Sequence, residues 1–205
     1  MTLQARLSVL VLPALVLIPG LFTGARMAAF LGGALLSCIA ASIAGRVLMA
    51  RLVGARHRRT VFHGLGASHD YGRLHLREAL PIHVSGVVAV GLLTAICTRG
   101  DSYLAQCIAS IGVFWTVIQA APVQPTCGGD AAWNLLRWWL GPIQGEAWSS
   151  RLTLLGAVAG CWAGLQLGLV FLIPLGAVAL HHGWVAYRSR STEPAALLVL
   201  PGAPA

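Results

Sequence analysis

Met27-Ala-Ala-Phe-Leu-Gly-Gly-Ala-Leu-Leu-Ser-Cys-Ile-Ala-Ala-Ser-Ile-Ala-Gly-Arg46-Val-Leu-Met-Ala-Arg-Leu52 is apolar enough and long enough to cross a bilayer as one helix. A hydrocarbon core about 30 Å thick needs roughly 20 such residues. Arg46 interrupts the run. A guanidinium at the centre of a membrane helix costs roughly 2.5–3.5 kcal/mol on insertion scales. Arg46 stands toward one end of the run, where the cost is lower, yet a charge inside a span marks a functional site by default.

The rest of the chain has the same character. Of 205 residues, 57% are hydrophobic and 10% are charged, and the mean hydropathy is +0.77. Soluble domains carry about 25% charged residues, so the composition is that of an integral membrane protein. The net charge is +8, and all 14 basic residues are arginines. Arg51, Arg56, Arg58, Arg59, Arg73 and Arg77 cluster in one stretch. That cluster has no interleaved aromatics and lies between two apolar runs, so it reads as anchoring at a membrane surface and not as a nucleic-acid site. Cys38, Cys97, Cys107, Cys127 and Cys161 show no paired spacing. Those inside spans act as small hydrophobes, with a Cys97–Cys107 disulfide as a minor alternative.

Six spans are expected in one polytopic membrane domain over 1–190, with a disordered tail over 191–205. Span one is about Leu7 to Gly24 and reads as a retained helix, since no signal-peptide cleavage site follows it. Span two is Met27 to Leu52. A basic loop follows to about Glu78, in which Arg59-Thr-Val-Phe-His63 alternates as a short strand or hairpin at the membrane surface would. Spans three and four are about Leu80 to Thr98 and Tyr103 to Ala121.

After an irregular Pro122–Asp130 segment, Ala131 to Leu140 reads as an amphipathic piece held at the headgroups by Trp133, Trp138 and Trp139. The apolar stretch from Leu152 to Tyr187 would be about 54 Å long as one helix. It therefore reads as two helices, turning around Gly164 to Gly168 or at Pro174. With the N-terminus inside, eleven arginines fall on the inner side and two, Arg26 and Arg99, outside. This places both termini in the cytoplasm and the chain in the inner membrane of a bacterium.

Two segments carry a pattern together. One is Ser42-Ile43-Ala44-Gly45-Arg46. The other is Gln119-Ala-Ala-Pro122-Val-Gln-Pro125-Thr-Cys127-Gly128-Gly129. The pair resembles the site-2 protease family of intramembrane zinc metalloproteases. In that family a membrane helix carries His-Glu-x-Gly-His, and a later helix ends in Asn-Leu-x-Pro-x-x-Pro-Leu-Asp-Gly-Gly. Gly45, Pro122, Pro125, Gly128 and Gly129 match at the family's spacing. Leu52-Val-Gly54-Ala-Arg56 and the loop Val61-Phe-His-Gly-Leu-Gly66 are loosely similar to neighbouring family segments. The resemblance covers about Gly32 to Leu140, plus a closing helix pair ending near Gly183-Trp184.

It implies a site-2-protease-like helical core. In the family, two histidines one helical turn apart and the aspartate hold zinc, and the glutamate is the general base toward the zinc-bound water. Here those four positions are Ser42, Arg46, Cys127 and Ile43. Isoleucine accepts no proton, and an arginine is not a zinc ligand. The expectation is a pseudoprotease without catalytic residues or zinc cofactor. It would sit in the lipid bilayer and bind a transmembrane-helix partner or regulate an active protease. The alternative is an active metalloprotease with non-standard ligands. Arg46 is expected either to form an ion pair with Asp130 in place of the metal, or to meet carbonyls around Pro122 to Cys127 or water. His57, His63, His69 and His75 recur every six residues, with His83 nearby, a spacing that shares no helix face and reads as surface histidines.

Overall fold

The computed structural model describes residues 2–5, 24–55, 59–63, 66–71, 74–166, 168 and 172–191. The expected first span and the tail beyond 191 lie outside these residues. The described elements are β1 (Thr2–Ala5), α1 (Ala25–Leu52), β2 (Arg59–His63), β3 (Gly66–Asp70), α2 (Leu76–Cys97), α3 (Tyr103–Ala120), α4 (Cys127–Leu140), α5 (Pro142–Gln166) and α6 (Leu172–Ser191).

The helices start and stop for local reasons. The Glu78 carboxylate accepts a hydrogen bond from the His75 backbone N–H at 3.2 Å, closing a capping box at the start of α2. Ser102 caps α3 by accepting from the Ala105 N–H at 3.1 Å, and Thr126 caps α4 by accepting from the Gly129 N–H at 3.0 Å. The one-residue link between α4 and α5 is Gly141 at φ 83°, a conformation that favours glycine.

α1, α2 and α3 pack on one another, each with a buried stripe at helical spacing. On α2 this stripe is Ile82, Gly86, Val90 and Thr94, while Val84, Val88, Leu92 and Ile96 form an outward stripe, each at least 45% exposed. An exposed face this apolar is a lipid-facing one. The main core joins Ala34, Leu35, Cys38 and Ile39 of α1 to Val90 of α2 and to Ile108 and Trp115 of α3. A second core joins Ala157 of α5 to Leu175 and Ala179 of α6. α4 connects the two, packing on α2 and α3 on one side and on α5 on the other.

Among the described residues, α1, α2 and α3 are long and apolar enough to cross a membrane. The chain is an integral membrane protein by that measure, with six helices among the described residues. α5 begins at Pro142 and carries Gln144, Glu146 and Arg151 ahead of its apolar part, and α6 is apolar over Leu172–Val185. The break in the long apolar stretch falls between Gln166 and Leu172, with Gly168 at φ 67°. Pro174 does not break the chain, because it is the third residue of α6, where its missing N–H costs nothing. The amphipathic piece starts at Cys127, earlier than Ala131, because the two glycines extend the helix to the Thr126 cap. All five cysteines are free, Cys97 and Cys107 included.

Between α1 and α2 the chain forms β2 and β3, antiparallel with His63 opposite Gly66. β1 adds to β2 in parallel, with Thr2 opposite Arg59. Beside this sheet, Tyr71 packs with Ala50 of α1 and Ile82 of α2 in a third small core. Burial pushes the Tyr71 phenol up to about 12, against a smaller opposing pull from the Arg46 charge. A pKa raised above the ordinary value of 10.0 means stability is complete below pH 10 and falls as pH rises toward about 12. Melting temperatures in this window should decline for the native chain and decline less for Tyr71→Phe.

Candidate functional site

The segments that carried the sequence pattern meet where α1, α2, α3 and α4 converge. Ser42 and Arg46 are one turn apart on α1 and share its inward face. They are 2% and 3% exposed. Arg46 precedes the end of α1 by six residues, about 9 Å along its axis. Ile43, one residue round the helix, turns into the main apolar core. Gly45 faces α2: a Cβ there would stand 2.6 Å from both the Ala89 Cβ and the Ser85 carbonyl oxygen. The glycine lets the two helices touch closely, as small residues do in membrane packing.

Cys127 is the first residue of α4 and is 1% exposed. Its Sγ lies 3.6 Å from Ser42 Oγ. Its backbone N–H donates to Gln119 Oε1 at the end of α3, at 3.2 Å. The floor of this meeting point is Gly86 of α2. A Cβ on Gly86 would stand 2.7 Å from Cys127 Sγ and 3.1 Å from both Arg46 Cγ and Ser42 Oγ. Three side chains from two helices thus close over a backbone that has none.

The irregular Pro122–Thr126 loop is held by hydrogen bonds in place of helix. Thr126 Oγ1 donates to the Ala121 carbonyl at 2.7 Å, and the Gln124 N–H donates to Thr153 Oγ1 of α5 at 3.1 Å. Pro122 is exposed and Pro125 is buried, and the Gln124–Pro125 peptide is cis. Gly128 and Gly129 lie under this loop. A Cβ on Gly128 would collide with the Ala120 carbonyl, and one on Gly129 with the Val123 backbone. Gly128→Ala should therefore lower the unfolding free energy by about 1–3 kcal/mol through overpacking. Gly91→Ala, whose Cβ would meet nothing within 4 Å, should instead be neutral or mildly stabilising in a helix. Thermal melts of the two variants in detergent compare them directly.

The expected Arg46–Asp130 ion pair is not made among the described residues. Asp130 Oδ2 faces His83 Nδ1 of α2 at 3.7 Å. Asp130 follows Gly129 on the first turn of α4, and His83 lies one turn before Gly86 on α2, so the imidazole, not the guanidinium, is the side chain that Asp130 faces. Arg46 makes no hydrogen bond or ion pair among the described residues, and its Nε is buried without a partner. The alternative contact with carbonyls of the Pro122–Cys127 loop is likewise not made there.

His83 and Gly86 were not singled out from the sequence. Nearness in sequence groups His83 with the loop histidines, whereas it falls seven residues inside α2. A histidine within an apolar span was the available signal. Gly86 gave none, since which face of span three meets span two is not written in local sequence.

Zinc takes thiolate, imidazole and carboxylate ligands. Of the three positions that the family resemblance would assign as ligands, Ser42, Arg46 and Cys127, only the cysteine is of that kind. The guanidinium has no lone pair to give and carries a full positive charge into the same space. No three His, Cys, Asp or Glu side chains among the described residues are grouped to hold a metal ion. The residues present do not fit the zinc of the protease chemistry.

The four helices converging on a Pro-rich loop and a Gly-Gly helix start define the fold of an intramembrane site-2 protease. The solved structure that carries the comparison is the Site-2 Protease from Methanocaldococcus jannaschii. It matches with a TM-score of 0.74 over 90% of this chain and 89% of that one, at 12% sequence identity. At that identity the likeness is one of fold. No protein-family model and no curated protein matches the sequence.

Proposed function

We propose that this chain is a catalytically inactive protein on a site-2 protease scaffold, which binds or regulates a transmembrane partner. The carrying observation is the side-chain set at the convergence of α1, α2 and α4. The hydroxyl of Ser42, the guanidinium of Arg46, the thiol of Cys127 and the aliphatic Ile43 stand where the family has two histidines, an aspartate and a glutamate. Hydrolysis of a peptide bond needs a polarised water and a base. Ile43 lies in the apolar core and supplies neither.

What supports retention of the scaffold is the close packing at the small residues. Gly45, Gly86, Gly128 and Gly129 each sit where a Cβ would collide, so the convergence is still built closely although its ligands differ. A fold that keeps this convergence within the membrane is suited to holding a helix. The arginine-rich side would face the cytoplasm, carrying both termini, in a bacterial inner membrane.

The second reading, an active protease with Cys127 as an unusual ligand or nucleophile, has one thing in its favour. The structure puts His83 on the helix that packs against Cys127, one turn from Gly86. Its imidazole, however, is directed to Asp130. Reconstitution with a labelled single-span protein, with and without added zinc, tests the choice. The proposal expects the single-span protein to remain uncleaved while a photo-cross-linker placed at position 84, exposed beside His83, captures it. Cleavage products would overturn the proposal.

A further inference from the structure

Arg46 is a buried cation that makes no direct contact with an anion among the described residues, although its charge acts on Asp130 at longer range. The chain has six acidic residues, and none of them forms an ion pair with Arg46 among the described residues. Glu78 is occupied at the cap of α2, Asp101 lies in the link between α2 and α3 at the other end of the bundle, and Asp130 faces His83. Leaving a buried charge without its partner is strongly unfavourable, and an arginine inside a membrane normally finds a carboxylate or freed carbonyls.

A second observation points the same way. His83 Nδ1 is also buried without a hydrogen-bond partner, since 3.7 Å to Asp130 is too long for one. Two buried nitrogen positions, Arg46 Nε on α1 and His83 Nδ1 on α2, therefore lack an acceptor in the same region. The start of α4, with its positive helix end, adjoins them at Cys127. The region opens on the His83–Asp130 side, where those side chains keep 12% and 19% exposure.

We propose that the site between α1, α2 and α4 receives an acidic side chain from a transmembrane helix of a partner protein, with Arg46 as its counter-ion. This rests on the partner-binding reading above and narrows it to a partner that carries an Asp or Glu within the membrane, about 9 Å inside one end of its span. A carboxylate fits because it brings the charge that Arg46 lacks and accepts two hydrogen bonds from a guanidinium.

The test uses the full chain in phosphatidylcholine vesicles and a fluorescent single-span Leu/Ala peptide. The peptide carries Asp, Asn or Leu six residues from one end, and association is read by energy transfer. The Asp peptide should associate about tenfold more tightly than the Leu peptide, equivalent to about 1.4 kcal/mol, and more tightly than the Asn peptide. Arg46→Met should abolish that preference and Arg46→Lys should retain part of it, which guards against a fold defect in the first variant.

Equal binding of the Asp and Leu peptides, equal binding of Asp and Asn, or a preference that survives Arg46→Met would each overturn the proposal. So would loss of the preference on adding phosphatidylglycerol, because a lipid phosphate would then be the anion. Cleavage of the peptide would instead overturn the pseudoprotease reading and leave the acid preference standing.

Discussion

Replacing Arg46 by methionine should stabilise the isolated chain. The arginine stem packs its Cγ against Gly86, and methionine keeps an unbranched stem of similar course while removing the buried charge. Exchanging buried ionic groups for apolar residues of similar volume is neutral or stabilising by about 1–4 kcal/mol. For a chain of this size, each kcal/mol corresponds to about 2–4 °C in melting temperature. The sign is the informative part. If Arg46 were satisfied within the chain, as in an Arg46–Asp130 bridge, the same substitution would strand Asp130 and lower the melting temperature. Asp130→Asn sharpens the comparison: it should perturb His83, which it faces, and, because the Arg46 charge acts on Asp130 only at longer range, it should change the effect of Arg46→Met by less than the loss of a direct ion pair would.

The second large effect is a gain. Ser42→His, Ile43→Glu, Arg46→His and Cys127→Asp, made together, should let the chain bind about one zinc ion, because two histidines at i and i+4 share one helix face. The third ligand would come from a position whose present Sγ is 3.6 Å from Ser42 Oγ, and Gly86 leaves no side chain between them. Keeping Arg46 while making the other three changes should prevent binding, since one ligand is then missing and a fixed positive charge remains. Metal content after gel filtration with zinc measures both variants. Failure of the fourfold variant to take up zinc while folding normally would mean that the helices no longer hold the ligand geometry.

The legibility of this fold in the sequence was uneven, for physical reasons. Ser42 and Arg46 could be placed on one face because helical period alone does that, while Cys127 was tied to them only by the family resemblance that Pro122, Pro125, Gly128 and Gly129 carry. Length and hydropathy read α1, α2 and α3 as spans. The length of the apolar stretch from Leu152 also required two helices, and the break falls between Gln166 and Leu172, but where the first of them starts, at Pro142, is set by the turn at Gly141 and not by hydropathy.

Adjacency in sequence to Gly129 says nothing of which helix Asp130 faces. One helical step decides whether Asp130 looks at α1 or α2, and it looks at His83. Gly86 was invisible in the same way. Its role is defined by what three other side chains do above it, and only tertiary structure states that.

The most direct measurement of the central claim is the zinc content of the purified native chain after equilibration with excess zinc and removal of the unbound metal. The account predicts no stoichiometric zinc, because Ser42, Arg46 and Cys127 offer one zinc-type ligand and one fixed cation. One zinc per chain, lost on substitution of Cys127, would contradict it.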